Sequence, residues 1–282
     1  MIRRIAGGAV VLLATVLALP ALAGPLMDRI DDGEPIRLGF ANEVPWAYPG
    51  EGNEPLGFAN AFTLGVLEEM GYGRDDIEPV VTEWGGLIPG LKANRFDVIT
   101  GGMYILNSRC QNVAFSDPMG TFGDAFIVAK GNPKDLHNYE DLQREDATLV
   151  TGAGYNIGEG AKDKGVPASR IMTVPGPTEI LAAVKAGRAD AGGVTYFTAQ
   201  NLAKESGGAV EVSDPSKMPQ DTLNWVGIAF RPSDGDFLAK FNAAMEEYLG
   251  SDDMLAAVHE YGYTKSNLPG EDVTTEWVCN NR

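Results

Sequence analysis

The sequence predicts an α/β protein of two similar lobes, mostly parallel in its sheets, with two strands crossing between the lobes. Three observations carry that expectation. Short apolar segments alternate with segments of helical spacing, the pattern of sheets covered by helices. A hexapeptide, Lys92-Ala93-Asn94-Arg95-Phe96-Asp97, returns 93 residues later as Lys185-Ala186-Gly187-Arg188-Ala189-Asp190. Each copy closes an apolar helix and leads into a short apolar strand, although Lys and Gly also favour helix C-termini in general. Finally, residues 125–129 and 225–231 read as two strands far apart in sequence, and these are taken as the crossings.

Taken in order, residues 36–41 form a buried first strand. The stretch 42–55, rich in Pro, Gly and aromatic residues, is a surface loop at its end. Phe62, Leu64, Val66, Leu67 and Met70 mark residues 59–70 as a helix, stopped by Gly71-Tyr72-Gly73. Residues 77–83 are a second strand, 87–93 a short helix and 96–99 a third strand. Phe115-Ser116-Asp117-Pro118 turns the chain before the strand 125–129, which ends at Gly131-Asn132-Pro133. Gly152-Ala153-Gly154-Tyr155-Asn156-Ile157-Gly158 reads as a strand-to-helix turn, and 180–184 as an apolar helix. After strand 225–231 come helices over 237–249 and 254–261. The expected division is therefore 24–128 with 226–282 for a discontinuous first lobe and 129–225 for the second. Two crossing strands make a hinge, and closure around a ligand is the motion such a hinge allows.

The chain has 282 residues. It opens with Met1-Ile2-Arg3-Arg4, continues through an apolar run over 9–22 and reaches Ala21-Leu22-Ala23. These are the parts of a secretory signal peptide, predicting cleavage after Ala23. At roughly 14 residues the run is short of the ~20 that a spanning helix needs. No Cys follows Ala23, which points to a soluble periplasmic product rather than a lipoprotein. Cleavage would remove Arg3 and Arg4 and take the formal net charge from −17 to −19. So acidic a surface repels nucleic acid and anionic membranes, and neither is expected as a partner. The two cysteines, Cys110 and Cys279, invite a disulfide in an oxidising compartment. With no His beside them they make a poor metal site, and no metal or cofactor is expected.

Two segments carry a family resemblance. Gly102-Met103-Tyr104-Ile105-Leu106-Asn107-Ser108-Arg109, followed by Val113-Ala114-Phe115-Ser116-Asp117-Pro118, resembles the polar amino-acid binding proteins (solute-binding family 3) of ATP-driven (ABC) importers. Trp84-Gly85-Gly86-Leu87-Ile88-Pro89-Gly90-Leu91 and Gly187-Arg188-Ala189-Asp190 belong to the same pattern. The resemblance spans essentially the whole mature chain. It implies the two-lobe type II periplasmic binding protein fold, a small ligand held between the lobes, and delivery by a monomer to membrane subunits. Within the family, four features are similar to the ectoine and hydroxyectoine binders. These are Asn42-Glu43-Val44-Pro45-Trp46, Glu83-Trp84, Tyr104 in place of a small hydroxyl residue, and Arg109-Cys110 with a late Cys279.

The resemblance implies roles for six residues. Arg109 would grip a ligand carboxylate with its planar fork; outside the motif, such an Arg would read as a surface ion pair. Trp46, Trp84 and Tyr104 would form an aromatic cage for a delocalised cation, or else serve as core. Glu43 would accept hydrogen bonds from ring N–H groups and balance the positive charge. Asn156 would add a polar contact from the second lobe, with the helix N-terminus beside it; Tyr155 reads as a packing residue or a contact. Such a set suits an ectoine-type zwitterion, a compatible solute. A betaine-like zwitterion or a polar amino acid is the alternative, although the acid that amino-acid binders keep near Thr195 is absent. An enzyme on the same fold is a further alternative, with Glu43 as its base. Against it, His137 and His259 are the only histidines, and no nucleophile elbow or spaced metal motif is present. The glycines of 152–158 lack the dinucleotide fingerprint.

Overall fold

The computed structural model describes residues 26–270 and 272–282. Residues 1–23, read as an export signal, lie outside them. The described residues open with α1 (Leu26–Asp31) and lay down β1 (Ile36–Phe40), a loop with the short hairpin β2 (Tyr48–Pro49) and β3 (Pro55–Leu56), and α2 (Phe58–Glu69). There follow β4 (Ile77–Val81), α3 (Leu87–Lys92), β5 (Val98–Tyr104), the one-turn α4 (Asn107–Cys110), β6 (Ala114–Phe115) and β7 (Gly120–Phe122). The middle of the chain supplies β8 (Asp124–Ala129), α5 (Tyr139–Arg144), β9 (Leu149–Gly152), α6 (Asn156–Asp163), β10 (Ile171–Val174), α7 (Pro177–Lys185), β11 (Ala191–Thr195), α8 (Tyr196–Glu205) and β12 (Val210–Val212). It ends with β13 (Asn224–Phe230), α9 (Gly235–Tyr248), α10 (Asp252–His259) and α11 (Thr275–Asn281).

Two sheets result. The first runs β4-β1-β5-β13-β6, with β7 also on β13; the second runs β10-β9-β11-β8-β12. β1 pairs in parallel with β4 and β5, while β13 runs antiparallel to β5. In the second sheet β9 is parallel to β10 and β11, and β8 is antiparallel to β11 and β12. Every residue of β5 is buried, as a strand covered on both faces should be. Phe58 and Phe62 of α2 pack with Phe230, Phe237 and Phe241 in one core, and Phe126, Leu149 and Ile157 centre another under the second sheet.

One expectation needs correction. The sequence pattern assigns the strand at 125–129 to the end of the first lobe, crossing out of it. In the structure it starts one residue earlier and lies wholly in the second sheet, between β11 and β12. The chain passes from sheet to sheet between Phe122, paired with Asn224, and Asp124, paired with Thr195. The apolar run alone could not show this, because a strand buried on both faces reads alike in either sheet.

The repeated hexapeptide has a shared geometry. Asn94 (φ 55°) and Gly187 (φ 66°) take the left-handed turn that ends each helix. Asp97 N–H donates to Arg37 O and its carboxylate accepts from Arg37 N–H; Asp190 does the same with Thr148. Each copy thus pins the strand behind it to the strand ahead. Asp97 is fully buried and also pairs with Arg29 (2.7 Å), Arg37 (2.9 Å) and Arg231 (2.8 Å). Burial pushes its carboxyl up, but hydrogen bonds from the three arginines outweigh that and hold it well below the usual carboxylate range. Cys110 and Cys279 are joined by a disulfide, their Cα atoms 5.9 Å apart, which ties α11 to α4.

Candidate ligand-binding site

The cleft between the sheets is built at the carboxyl ends of parallel strands, where open α/β sheets place their ligands. Glu43 follows β1, Trp84 follows β4, Tyr104 ends β5 and Arg109 lies on α4. From the other side, Gly154, Tyr155 and Asn156 follow β9, Thr195 ends β11 and Thr198 opens α8. Asp124 begins β8, which runs antiparallel to β11 and so starts at the same end.

Glu43 is 4% exposed, and both its oxygens accept hydrogen bonds from the facing side: Tyr155 Oη at 2.6 Å and Thr198 Oγ1 at 2.8 Å. Burial pushes its carboxyl up, opposed by those two donors. Arg109, 8% exposed, donates to Tyr104 O (3.0 Å) and to Gly154 O (3.1 Å) and lies over the Trp84 ring at 5.7 Å. Burial pulls its pKa down to about 10, so it remains a cation at neutral pH. Trp84 Nε1 donates to the same Gly154 carbonyl (3.2 Å), and its ring meets Tyr155 edge-on at 5.4 Å. Tyr104 Oη donates to Asp124 Oδ1 and Asn156 Nδ2 donates to Asp124 Oδ2, each at 3.2 Å.

Five of the six residues singled out from sequence, Glu43, Trp84, Tyr104, Arg109 and Asn156, line one central cavity of about 20 Å³ together with Tyr155 and Thr195. Trp46 does not. It is 1% exposed and packed among Phe58, Phe122, Tyr104 and Phe197, so it forms core behind the cleft and no face of a cage. Trp46 N–H closes a turn onto Glu43 O, and the indole is received by Phe122 and Phe197 from distant parts of the chain. Gly102 (φ 72°) offers no Cβ, which would stand 2.1 Å from Trp46 Cε3, and the indole fills that space. Trp46 still acts on the site at one remove. Its Nε1 donates to Thr195 Oγ1 (2.8 Å), which donates to Thr198 Oγ1 (3.0 Å), which donates to Glu43.

Asp124 and Thr198 were missed. Asp124 adjoins an apolar run and reads as its solvent-side flank; only the sheet pairing shows it buried. Thr198 is three residues past Thr195, whose side chain caps α8, and a Thr in the first turn of a helix carries no sequence signal of a contact across the cleft. On either side of the central cavity the cleft widens. One side is a groove of about 870 Å³ that includes Arg109, Asp124, Asn156, Lys162, Lys164 and Arg282. The other, of about 470 Å³, includes Glu43, Glu83, Trp84 and Glu179.

Two facing α/β sheets with buried acid, buried arginine and aromatic walls at their shared edge define a ligand-capturing protein of the type II periplasmic binding class. The profile of the bacterial extracellular solute-binding proteins, family 3, matches residues 36–262, and the chain belongs to that family. A probable amino-acid ABC transporter periplasmic-binding protein of Sinorhizobium fredii is 34% identical over 251 residues, covering 87% of this chain and 83% of that one. The L-cystine-binding protein of Escherichia coli K12 is 24% identical over 250 residues, covering 88% of each. Among solved structures, EhuB in complex with hydroxyectoine superposes with a TM-score of 0.81 at 26% identity, covering 91% of this chain and 98% of that one. An ancestral amino acid-binding protein described as a precursor of cyclohexadienyl dehydratase superposes with a TM-score of 0.72 at 26% identity, covering 85% and 100%. The chain is thus an extracellular solute-binding protein of family 3.

Proposed function

We propose that this solute-binding protein captures ectoine or hydroxyectoine, a cyclic zwitterion, between its two sheets. The observation that carries the reading is the pairing of buried Glu43 and buried Arg109 in one cavity walled by Trp84, Tyr104 and Tyr155. A ring amidinium meets Glu43 and the aromatic faces, and the ligand carboxylate meets the Arg109 fork, with Asn156 as a further donor. The likeness to a hydroxyectoine complex supports the same choice. A polar amino acid is the second reading, favoured by the relatives named for amino acids and L-cystine.

The central cavity, at about 20 Å³, has room for about one water, so a ligand enters only when the lobes part. In this reading residues 26–123 with 224–282, and residues 124–223, move as the two lobes. The side-chain bonds that yield include those from Tyr155 and Thr198 to Glu43, from Tyr104 to Asp124, from Arg109 and Trp84 to Gly154 O, from Trp46 to Thr195, and from Arg282 to Asp221 O and Leu223 O. Ligand takes over Glu43 and Arg109 as closure completes, the bonds away from the cavity form again, and the membrane subunits of the importer favour the closed monomer. Residues 1–23 direct export and are removed. The test is a thermal-shift panel of residues 24–282 with ectoine, hydroxyectoine, glycine betaine, proline and the standard amino acids. A ligand present at a hundred times its Kd adds about 2.7 kcal/mol of stability, a visible rise in Tm. A rise with ectoine or hydroxyectoine supports the reading; a rise with amino acids alone replaces it by the second.

A further inference from the structure

Asp124 is the buried charge that the proposed ligand leaves without a partner. It is 3% exposed, and its two hydrogen bonds, from the neutral donors Tyr104 and Asn156, are both long at 3.2 Å. Those donors come from opposite sides of the cleft and line the central cavity, and Asp124 itself lines the large groove beside Arg109. The cleft therefore holds two buried carboxylates, Glu43 and Asp124, against one buried guanidinium. A neutral zwitterion supplies one cation, which Glu43 takes, and one carboxylate, which takes Arg109. Asp124 then faces Tyr104 from β5, Arg109 already engaged, Tyr139 from α5, Asn156 from α6 and Arg282 from α11. The Arg282 guanidinium is committed to the carbonyls of Asp221 and Leu223 and to the Asn224 side chain. Lys162 and Lys164, farther along the groove, are held by Glu159 (2.7 Å) and Asp221 (2.5 Å).

We propose that Asp124 selects ligands by net charge: a neutral zwitterion is captured together with one proton on Asp124, and a ligand with one net positive charge is captured without it. The inference rests on the assignment of Glu43 to the ligand cation and Arg109 to its carboxylate. The physical reason is that closure removes water, and an uncompensated carboxylate in that setting costs several kcal/mol, whereas a protonated one does not. The proton is within reach at physiological pH. Burial raises the Asp124 carboxyl to about 7 against the opposing pull of Asn156, Tyr104, Arg109 and Arg282. Its proton then comes from solvent and returns there when the ligand leaves.

Titration calorimetry at pH 8, in phosphate and in Tris, reads the proton directly, because the two buffers differ in ionisation heat. The titrants are ectoine, hydroxyectoine and glutamine as neutral zwitterions and arginine as the cation. Any neutral titrant that binds should show uptake close to one proton, and its Kd should be flat below about pH 7 and rise about tenfold per pH unit above it. Arginine, if bound, should show no uptake. Asp124→Asn should abolish the uptake and flatten the pH profile, and the wild-type profile carries the test even where that variant folds poorly. Neutral binding with buffer-independent heat, or uptake that persists in Asp124→Asn, overturns the proposal while leaving the ligand assignment intact. Binding of arginine alone overturns the ectoine reading; Asp124→Asn should then weaken arginine at least tenfold, and unchanged affinity overturns the role of Asp124. Binding of none of the four overturns both.

Discussion

Replacing Arg109 is the sharpest perturbation of the site, because its guanidinium serves both the ligand and the closed cleft. Arg109→Ala removes the partner of a buried carboxylate, a loss of about 2–5 kcal/mol, or roughly 30- to 5,000-fold in Kd. It also strips the charged donor from Tyr104 O and from Gly154 O and removes the contact over Trp84. Gly154 O keeps the Trp84 indole N–H, so the stability loss falls mainly on Tyr104 O and the stacked pair, about 2–4 kcal/mol. For a chain of this size that is a fall in Tm of roughly 5–15 °C. Arg109→Lys keeps the charge but not the planar fork, and should lie between wild type and Ala in both quantities. Calorimetric titration with ectoine, beside thermal unfolding by circular dichroism, reads the two effects separately. A Kd within threefold of wild type in Arg109→Ala would refute the assignment of Arg109 to the ligand, whatever happened to Tm.

Three other outcomes follow from the same structure. Trp84→Ala should weaken ligand about tenfold and lower Tm by a few degrees through its lost Arg109 and Tyr155 contacts, whereas Trp46→Phe should lower Tm by several degrees and leave Kd within a few fold; a larger loss of affinity in Trp46→Phe than in Trp84→Ala would restore Trp46 to the cage. Asp97→Asn breaks a fully buried charge with three arginine partners and should cost about 3–5 kcal/mol in denaturant unfolding. Because the folded-state carboxyl is held low, wild-type stability from Asp97 is present above about pH 4 and is lost as pH falls below it. Asp97→Asn should therefore flatten the acid limb, and an unchanged limb would contradict the ion-pair account. Cys110→Ser with Cys279→Ser opens a link across 169 residues, for which the chain-entropy account gives about 5 kcal/mol as an upper figure. A double variant as stable as the oxidised parent would contradict that account.

Much of this architecture was legible because it obeys local rules. The repeat at 92–97 and 185–190 works because both copies need the same left-handed turn and the same strand-clamping Asp, and those needs show in residue type. Glu43, Trp84, Tyr104, Arg109 and Asn156 sit in motifs or at strand ends, so their convergence could be anticipated. Trp46 could not be told from a cage residue, since its orientation depends on a Gly102 backbone angle and on Phe122 and Phe197, both distant in sequence. Asp124 was hidden for a related reason: the burial of an acid beside an apolar strand depends on which sheet that strand joins. The partners of Glu43 were illegible too, because Tyr155 and Thr198 reach it only after two sheets have met.

The central claim is that one cleft reads a cation with Glu43 and a carboxylate with Arg109. The most direct measurement is a pair of calorimetric titrations of residues 24–282, one with ectoine and one with the same ring lacking its carboxylate. Saturable 1:1 binding of ectoine, with affinity at least a hundredfold weaker for the carboxylate-free ring, is the result expected. Equal binding of the two, or binding of neither, would contradict it.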